Sequence, residues 1–542
     1  MKVKLRIVAL LAAPLPILAL ALPTANASTA APAGRVALAA AGAPGIAHAA
    51  RTGAVAAGQK LGLEVSLTPR NKAALDAFVK AVADPHSPSY RHYLTVAQYA
   101  AEYGASPAQI AQVTAYLKAE GLTVGQVTAN HQTLPVSGTA AQVEKAFDVS
   151  LGTYRADGNS FYANTNAPSL PAGVAAAVTS VAGLQNEAQH TYALQTAGST
   201  SAAVTSHAGT VLTPTLAREG YNLTSDISSG YNGSGETIGL VEFSAYTASA
   251  VAAYNTKYSL GATAASVVKV DGGTTDTSGS VEDELDIEVD YALAPKATIK
   301  VYEAPNTDAG EVAVYAALVS ADVPVISSSW GEPETEDSNL SSDDADFEEA
   351  AAQGQSVYAA SGDSGADDNG SSLSVDFPAS DTYVSGVGGT NLTVTSGAWA
   401  SETGWSDSGG GQSTEFSTPD FQDSVNSSGY REVPDVSAAG GNNSPWYIDA
   451  DGTYEDVWGT SAAAPNWAAF TADYDTAAAS LGESAFGYAN SEIYSVAESS
   501  LYSSVFHDVT SGNNGGYSAG TGYDEVTGWG SYNGGAFIAD EL

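Results

Sequence analysis

Two textures of hydrophobic and polar positions divide this chain of 542 residues. In the first, apolar and polar residues alternate over 61–67, which predicts a strand, and apolar residues then recur at helical spacing over 71–82, 92–103 and 107–120. Further strands are predicted over 122–127, 132–136 and 149–154, with a helix over 140–147. Such a mixture fits a compact α+β domain. Residues 188–212 break the pattern, because the run Ala-Gly-Ser-Thr-Ser-Ala-Ala-Val-Thr-Ser-His-Ala-Gly at 197–209 is small, polar and without period. It reads as a linker open to proteolytic nicking. The second texture follows. Short β-branched runs at 237–243, 266–270, 298–302, 323–329, 356–361 and 383–387 alternate with helical segments at 248–258, 281–293, 311–320 and 342–353. This alternation predicts an α/β fold, a largely parallel sheet flanked by helices. Ligand chemistry in such sheets lies beyond the carboxyl ends of the strands, where Glu242, Trp330 and Asp363 fall.

Composition adds a compartment. Lys2, Lys4 and Arg6 precede an apolar run over 7–22, and Ala25-Asn26-Ala27 follows as a small-residue cleavage site. Residues 1–27 therefore read as a secretory signal peptide, and the mature protein is expected to be secreted and extracellular, with no membrane span. Without cysteine there is no disulfide framework and no thiol chemistry. Charge is unevenly spread: residues 1–205 hold 13 of the 19 basic residues and 9 of the 60 acidic ones, so the remainder carries almost all of the net charge of −41. Such a body repels nucleic acid and anionic membranes. It fits work in acid, and it fits simple solubility or salt adaptation equally well. A basic N-terminal part docked on an acidic body is expected to loosen as carboxylates protonate, so that acid would trigger processing between 188 and 212.

Four stretches carry candidate chemistry. Gly459-Thr460-Ser461 opens the Ala-rich run to Pro465, displaying a serine at a helix start, where it is either an N-cap or a nucleophile. No histidine lies between residues 212 and 500, so a histidine-assisted serine is disfavoured and a carboxylate base is the alternative. Over 281–293 the chain reads Val-Glu-Asp-Glu-Leu-Asp-Ile-Glu-Val-Asp-Tyr-Ala-Leu. Glu282 and Asp286 share one helix face beside the apolar stripe of Leu285 and Val289, whereas Glu284 and Glu288 are expected to face water. Ser361-Gly362-Asp363-Ser364-Gly365 projects Asp363 from a glycine-flanked turn, as an Asx-turn residue or as a protonated oxyanion donor. Finally, Asp508 and Asp524 frame a Gly/Asn-rich loop in which Gly520 and Gly522 alternate, a hard-oxygen arrangement suited to calcium.

The ordered set resembles the sedolisin family of serine-carboxyl peptidases, in particular its kumamolisin-like members. Glu282-x-x-Leu285-Asp286, Ser361–Gly365, Gly459-Thr460-Ser461-x-x-x-Pro465, and Asp508-Val509 with Gly520-x-Gly522-x-Asp524 carry the resemblance. Ser328-Ser329-Trp330-Gly331, Val375–Ala379 and, before the linker, Ser87–Thr95 extend it. It implies a subtilisin-like sheet preceded by a smaller α+β prodomain; with the signal peptide 1–27 read above, the expected division is activation prodomain 28–190, linker with a processing site 191–212, and catalytic domain 213–542. It further implies Ser461 as nucleophile, Glu282 as general base and acid, Asp286 as its orienting partner and Asp363 as oxyanion donor. One structural Ca2+ would be held by Asp508, Val509, Gly520, Gly522 and Asp524. Glu242 and Trp330 match positions that extend the carboxylate network in some relatives, and Asp376 a substrate-pocket position. The expected partners are protein or peptide substrates and the chain's own prodomain as intramolecular inhibitor, in a monomer with no nucleic acid or membrane partner. The rival reading is a secreted calcium-binding or adhesive protein with an inactive protease fold.

Overall fold

The computed structural model describes residues 34–38, 46, 49–156, 158–187, 190–196 and 210–542. The signal-peptide reading of 1–27 and the central part of the proposed linker lie outside the described residues. Among the described residues no helix is long and apolar enough to cross a membrane.

The acidic body is built on an eight-stranded sheet. Its main path runs Ser266–Lys269, Thr298–Glu303, Thr237–Glu242, Val325–Ser328, Ser356–Ala360, Ser385–Thr395 and Ala398–Gly404, with Val436–Ala439 also pairing on Ser385–Thr395. All pairings are parallel except the hairpin of the last two strands on the path. The run read over 383–387 thus continues eleven residues as Ser385–Thr395 and folds back, because its downstream half alternates and meets Ala398–Gly404. Strand Thr237–Glu242 lies between Thr298–Glu303 and Val325–Ser328, so the chain winds outward in both directions from it. The crevice at that reversal opens at the carboxyl ends of Thr237–Glu242 and Val325–Ser328. Two helices pack side by side against this sheet: the acidic helix Ser280–Leu293 and the alanine-rich helix Ala463–Leu481. Both are buried along nearly their whole length, which explains the alanines of the second, since small side chains permit close approach to the strands.

The N-terminal unit has its own core of Leu63, Val65, Leu134, Val143 and Phe147. Its four-stranded antiparallel sheet runs Thr123–Val124, Thr133–Thr139, Lys60–Leu67, Val178–Ala182. Helices Pro107–Ala119 and Ala140–Phe147 start where they do because Ser106 with Gln109, and Thr139 with Gln142, form reciprocal capping boxes. The third, expected from 92, starts only at Val96, because Thr95 and Gln98 cap it there. This unit docks on helix Leu340–Gln353. Leu75, Val79 and Tyr99 cluster with Ala351, Ala352 and Tyr488. Asn130 and Gln132 donate to Glu349 Oε2 at 2.8 and 3.0 Å, Lys72 meets Glu348 at 2.7 Å, and Arg91 pairs with Glu492.

Residues 191–196 differ from a free linker. Thr191–Tyr192 pairs antiparallel with Gly331 and Trp330, and Gln195–Thr196 with Trp458 and Val457. Two-residue strands carry no periodicity, so nothing in the pattern announces them.

Candidate active site

The four candidate catalytic residues come from three elements, Glu282 and Asp286 from one helix, and meet at the sheet crevice. Ser461 sits in the short 3-10 turn Thr460–Ala462 at the head of the alanine-rich helix and is fully buried. Glu282 and Asp286 reach the same place from the first two turns of the acidic helix. The Glu282 carboxylate faces the hydroxyls of Ser461 and Ser329, each of which pulls its pKa down, although neither is aligned for a full hydrogen bond. Ser329 Oγ lies 3.0 and 2.8 Å from the two Asp286 oxygens and 3.2 Å from the Ser461 carbonyl, so it ties the second carboxylate to the Ser461 turn. Among the described residues no histidine replaces this arrangement. His507, beyond the framework, stacks on Trp399 at 4.2 Å, and burial lowers its pKa to about 4.

The carboxyl cluster is larger than the pair. Glu242, at the end of strand Thr237–Glu242, accepts the Trp330 indole N–H at 2.7 Å and faces Asp283. All four groups, Glu242, Glu282, Asp283 and Asp286, are buried, and burial first and mutual repulsion second hold their pKa values well above the ordinary range. Four such groups buried in one crevice disfavour one another's ionisation, which suits the sharing of protons among them. Asp283 was not singled out by the sequence: one step from Glu282 it lies about 100° around the helix, and only Glu242 on the neighbouring strand gives it a role.

The expectation for Glu284 and Glu288 is corrected. Both are buried. Glu284 accepts the backbone N–H groups of Thr247 and Asp451 at 2.9 and 2.7 Å, and Glu288 that of Asp449 at 2.9 Å. Strand Trp446–Ala450 and the residue after it cover the face that helix periodicity alone assigns to water.

Asp363 lies beside Thr460, whose backbone N–H and hydroxyl donate to its Oδ1 at 2.8 and 3.0 Å. Its Oδ2 has no hydrogen-bond partner, and burial pushes its pKa to about 7. The proton of a neutral Asp363 therefore belongs on Oδ2. That oxygen converges with the carbonyl of Ala193 on the bare face of Gly459: a Cβ there would stand 2.8 Å from Oδ2 and 1.9 Å from the Ala193 oxygen. Only glycine allows this approach. The Ser461 N–H donates to the same Ala193 carbonyl at 3.2 Å, and the Ala193 N–H to Ser329 O at 3.3 Å. A peptide of the chain itself thus lies across the crevice, with one carbonyl between the Ser461 amide and Asp363. Beside Ala193 is a cavity of about 80 Å³ bordered by Gly331, Asp363, Ser364, Asp368 and Asp376.

The C-terminal motif closes into one loop. The Gly522 N–H donates to Asp508 Oδ1 at 3.1 Å, that of Gly520 to Asp524 Oδ2 at 2.8 Å, and Thr527 Oγ1 to Val509 O at 3.4 Å. Both carboxylates clasp the 520–522 turn. Two carboxylates with neighbouring backbone carbonyls are a donor set of the kind calcium takes.

Residues 47–187 match the family described as Pro-kumamolisin, activation domain, and residues 248–483 match the subtilase family. The chain is 33% identical over 518 residues to kumamolisin of Bacillus sp. (strain MN-32), covering 88% of this chain and 91% of the relative. It is 30% identical over 520 residues to sedolisin of Pseudomonas sp. (strain 101), covering 88% and 86%. Among solved structures, Pseudomonas sedolisin, a serine-carboxyl proteinase complexed with two molecules of pseudo-iodotyrostatin, matches with a TM-score of 0.56 at 29% identity, over 61% of this chain and 98% of that one. A subtilisin-like parallel sheet, an N-terminal activation unit and these relatives agree: the chain belongs to the sedolisin family of serine-carboxyl peptidases and is a serine-type peptidase with an activation domain.

Proposed function

We propose that the protein is a secreted, acid-active endopeptidase made as a self-processing zymogen, with Ser461 as nucleophile. The observation that carries this reading is the Ala193 carbonyl, held by the Ser461 N–H at 3.2 Å while the Glu282 carboxylate faces the Ser461 hydroxyl. Ser461 Oγ attacks a carbonyl in that position as Glu282 takes its proton. Asp286, fixed through Ser329, orients the base and shares the negative charge. The oxyanion forms between the Ser461 N–H and the Oδ2 proton of Asp363. Glu282 then returns the proton to the leaving amine, and water releases the acyl group by the reverse use of the same residues. The substrates are proteins and peptides lying across the sheet ends as residues 191–196 do, and those residues hold the precursor inactive until they are cut. On this reading the bond cut in the precursor is Ala193–Leu194, within the processing region expected between 188 and 212.

The division into an activation prodomain over 28–190, a linker over 191–212 and a catalytic domain over 213–542 belongs to this proposal, as does one Ca2+ held by Asp508, Val509, Gly520, Gly522 and Asp524. Bound there, the ion would pin the C-terminal loop and take no part in the chemistry. The signal-like segment 1–27 supports secretion.

Digestion of casein at about pH 4 tests the reading. Ser461→Ala and, separately, Glu282→Ala are expected to lower activity by about 10⁴-fold or more, the loss typical of removing a nucleophile or its base. Undiminished digestion by either variant contradicts it.

A further inference from the structure

His190, three residues before Ala193, is seated as a ligand would be. Asn306 brackets its main chain, accepting its N–H at 3.3 Å and donating to its carbonyl at 2.8 Å. The imidazole stacks on Phe243 with ring centres 4.8 Å apart, and its side chain is only 2% exposed. Its Nε2 points at Glu311 Oε2 at 3.4 Å without a formed hydrogen bond, and Nδ1 lies 4.0 Å from Glu332 Oε1. Asp308 stands on the same helix as Glu311, and Asp337 and Asp343 stand behind it. Among the described residues none of these five carboxylates is paired with a lysine or arginine. Burial alone would lower the His190 pKa, but Glu311 and Asp308 outweigh it and hold it above the ordinary value. Burial pushes Asp308 up to about 7 and Glu332, Asp337 and Asp343 well above the ordinary range. The body therefore presents a buried pocket in which carboxylates crowd one another and are met by neutral donors, Gln185 and Ser338 on Asp308 and Asn339 on Glu311, so that an entering cation favours their ionisation.

We propose that this pocket is a substrate subsite selecting a basic side chain at the fourth residue on the acyl side, counted back from the residue whose carbonyl is attacked. The inference rests on the peptidase reading and deepens it. His190 is the precursor's own occupant of the subsite. A basic side chain in a substrate meets Glu311 and Glu332 and stacks its stem or ring on Phe243, with Asn306 fixing the main chain at that residue. An apolar side chain leaves the carboxylates uncompensated, and an acidic one adds to the repulsion.

The test uses the self-processed enzyme and quenched-fluorescent peptides X-Thr-Tyr-Ala-Leu-Gln-Thr at pH 5, X being His, Lys, Arg, Gln, Leu or Glu. Mass spectrometry confirms a cut between Ala and Leu. The expected kcat/KM for His, Lys and Arg exceeds that for Leu and Glu by about tenfold or more, in line with a buried charge-assisted contact. In Glu311→Gln and Glu332→Gln the ratio falls toward one. Should either variant fail to fold, the wild-type peptide series decides alone. Cleavage of all peptides at equal rates overturns the subsite and leaves the peptidase reading standing. No cleavage of any peptide or of casein overturns both. A preference for basic X that disappears with EDTA also overturns it, because the pocket would then serve a metal ion.

Discussion

Ser461 alone says little, because a serine before a run of alanines caps a helix as readily as it attacks a carbonyl. What distinguishes it is the company fixed by other elements: Glu282 against its hydroxyl, and Asp363 with its free oxygen beside the carbonyl that the Ser461 amide holds. The Glu282/Asp286 pair was legible in the sequence, since four residues of helix place two carboxylates on one face. Asp363 was legible as a turn residue suited to an Asx-turn or to donating to an oxyanion, but its orientation depends on Thr460, which only the fold brings near. Asp283 and the Asn306 bracket around His190 were not legible, because each depends on an element distant in sequence. The same residues give a pH dependence with a definite sign. Asp363 donates only while protonated, and its pKa is pushed to about 7 by burial, so turnover should fall as pH rises through about 7. Asp363→Asn retains an N–H donor with no proton to lose. It should remove that alkaline limb while reducing the maximal rate less than Asp363→Ala, for which about 10²- to 10³-fold is expected from loss of one oxyanion donor. An unchanged alkaline limb in the Asn variant would assign the titration to another group.

At the scale of elements, periodicity located the strands and helices of the body well. Helix 248–258 and the 140–147 helix of the N-terminal unit fall where the spacing puts them. It failed at the faces of the acidic helix, since an apolar stripe marks one buried side and cannot report that a strand covers the other. The consequence is energetic. Asp290 on that helix is fully buried, with both carboxylate oxygens unpartnered and its pKa well raised by burial alone. A pKa raised above its unfolded value contributes stability that is present in acid and lost as pH rises through the folded pKa. Asp290→Asn should therefore stabilise the fold by about 1–3 kcal/mol at pH 7, with little effect at pH 4, as thermal unfolding at the two pH values will report. The C-terminal loop makes a separate prediction. If it holds calcium, adding the ion at about a hundredfold its Kd should stabilise the protein by about 2.7 kcal/mol relative to EDTA, and Asp524→Asn should erase most of that difference. Identical unfolding curves with and without chelator would remove the ion from the account.

For the whole molecule, the uneven charge had two open explanations, solubility and work in acid. The structure bears on the choice because so many carboxylates of the body are buried with raised pKa values, among them Asp343, Asp346, Glu349, Asp381 and Asp473. All favour the fold at low pH. The docking of the N-terminal unit combines terms of both signs. Arg91–Glu492 and Lys72–Glu348 are attractions between cation and carboxylate, but burial lifts Glu348 to about 8 and Glu349 well above its ordinary range. Protonating Glu348 relieves the burial of its charge but also removes its attraction to Lys72, so acid does not act on this docking face in one direction only. On the proposed reading, cleavage of the segment across the crevice is the step that frees the site. N-terminal sequencing of the purified precursor after a shift to about pH 4 tests this most directly, with wild type and Ser461→Ala side by side. The account predicts a new N-terminus at Leu194 in the wild type, at early times, and an intact chain in the variant. A variant cut at the same bond at the same rate, or a wild type that digests protein with residues 191–196 uncut, would contradict it.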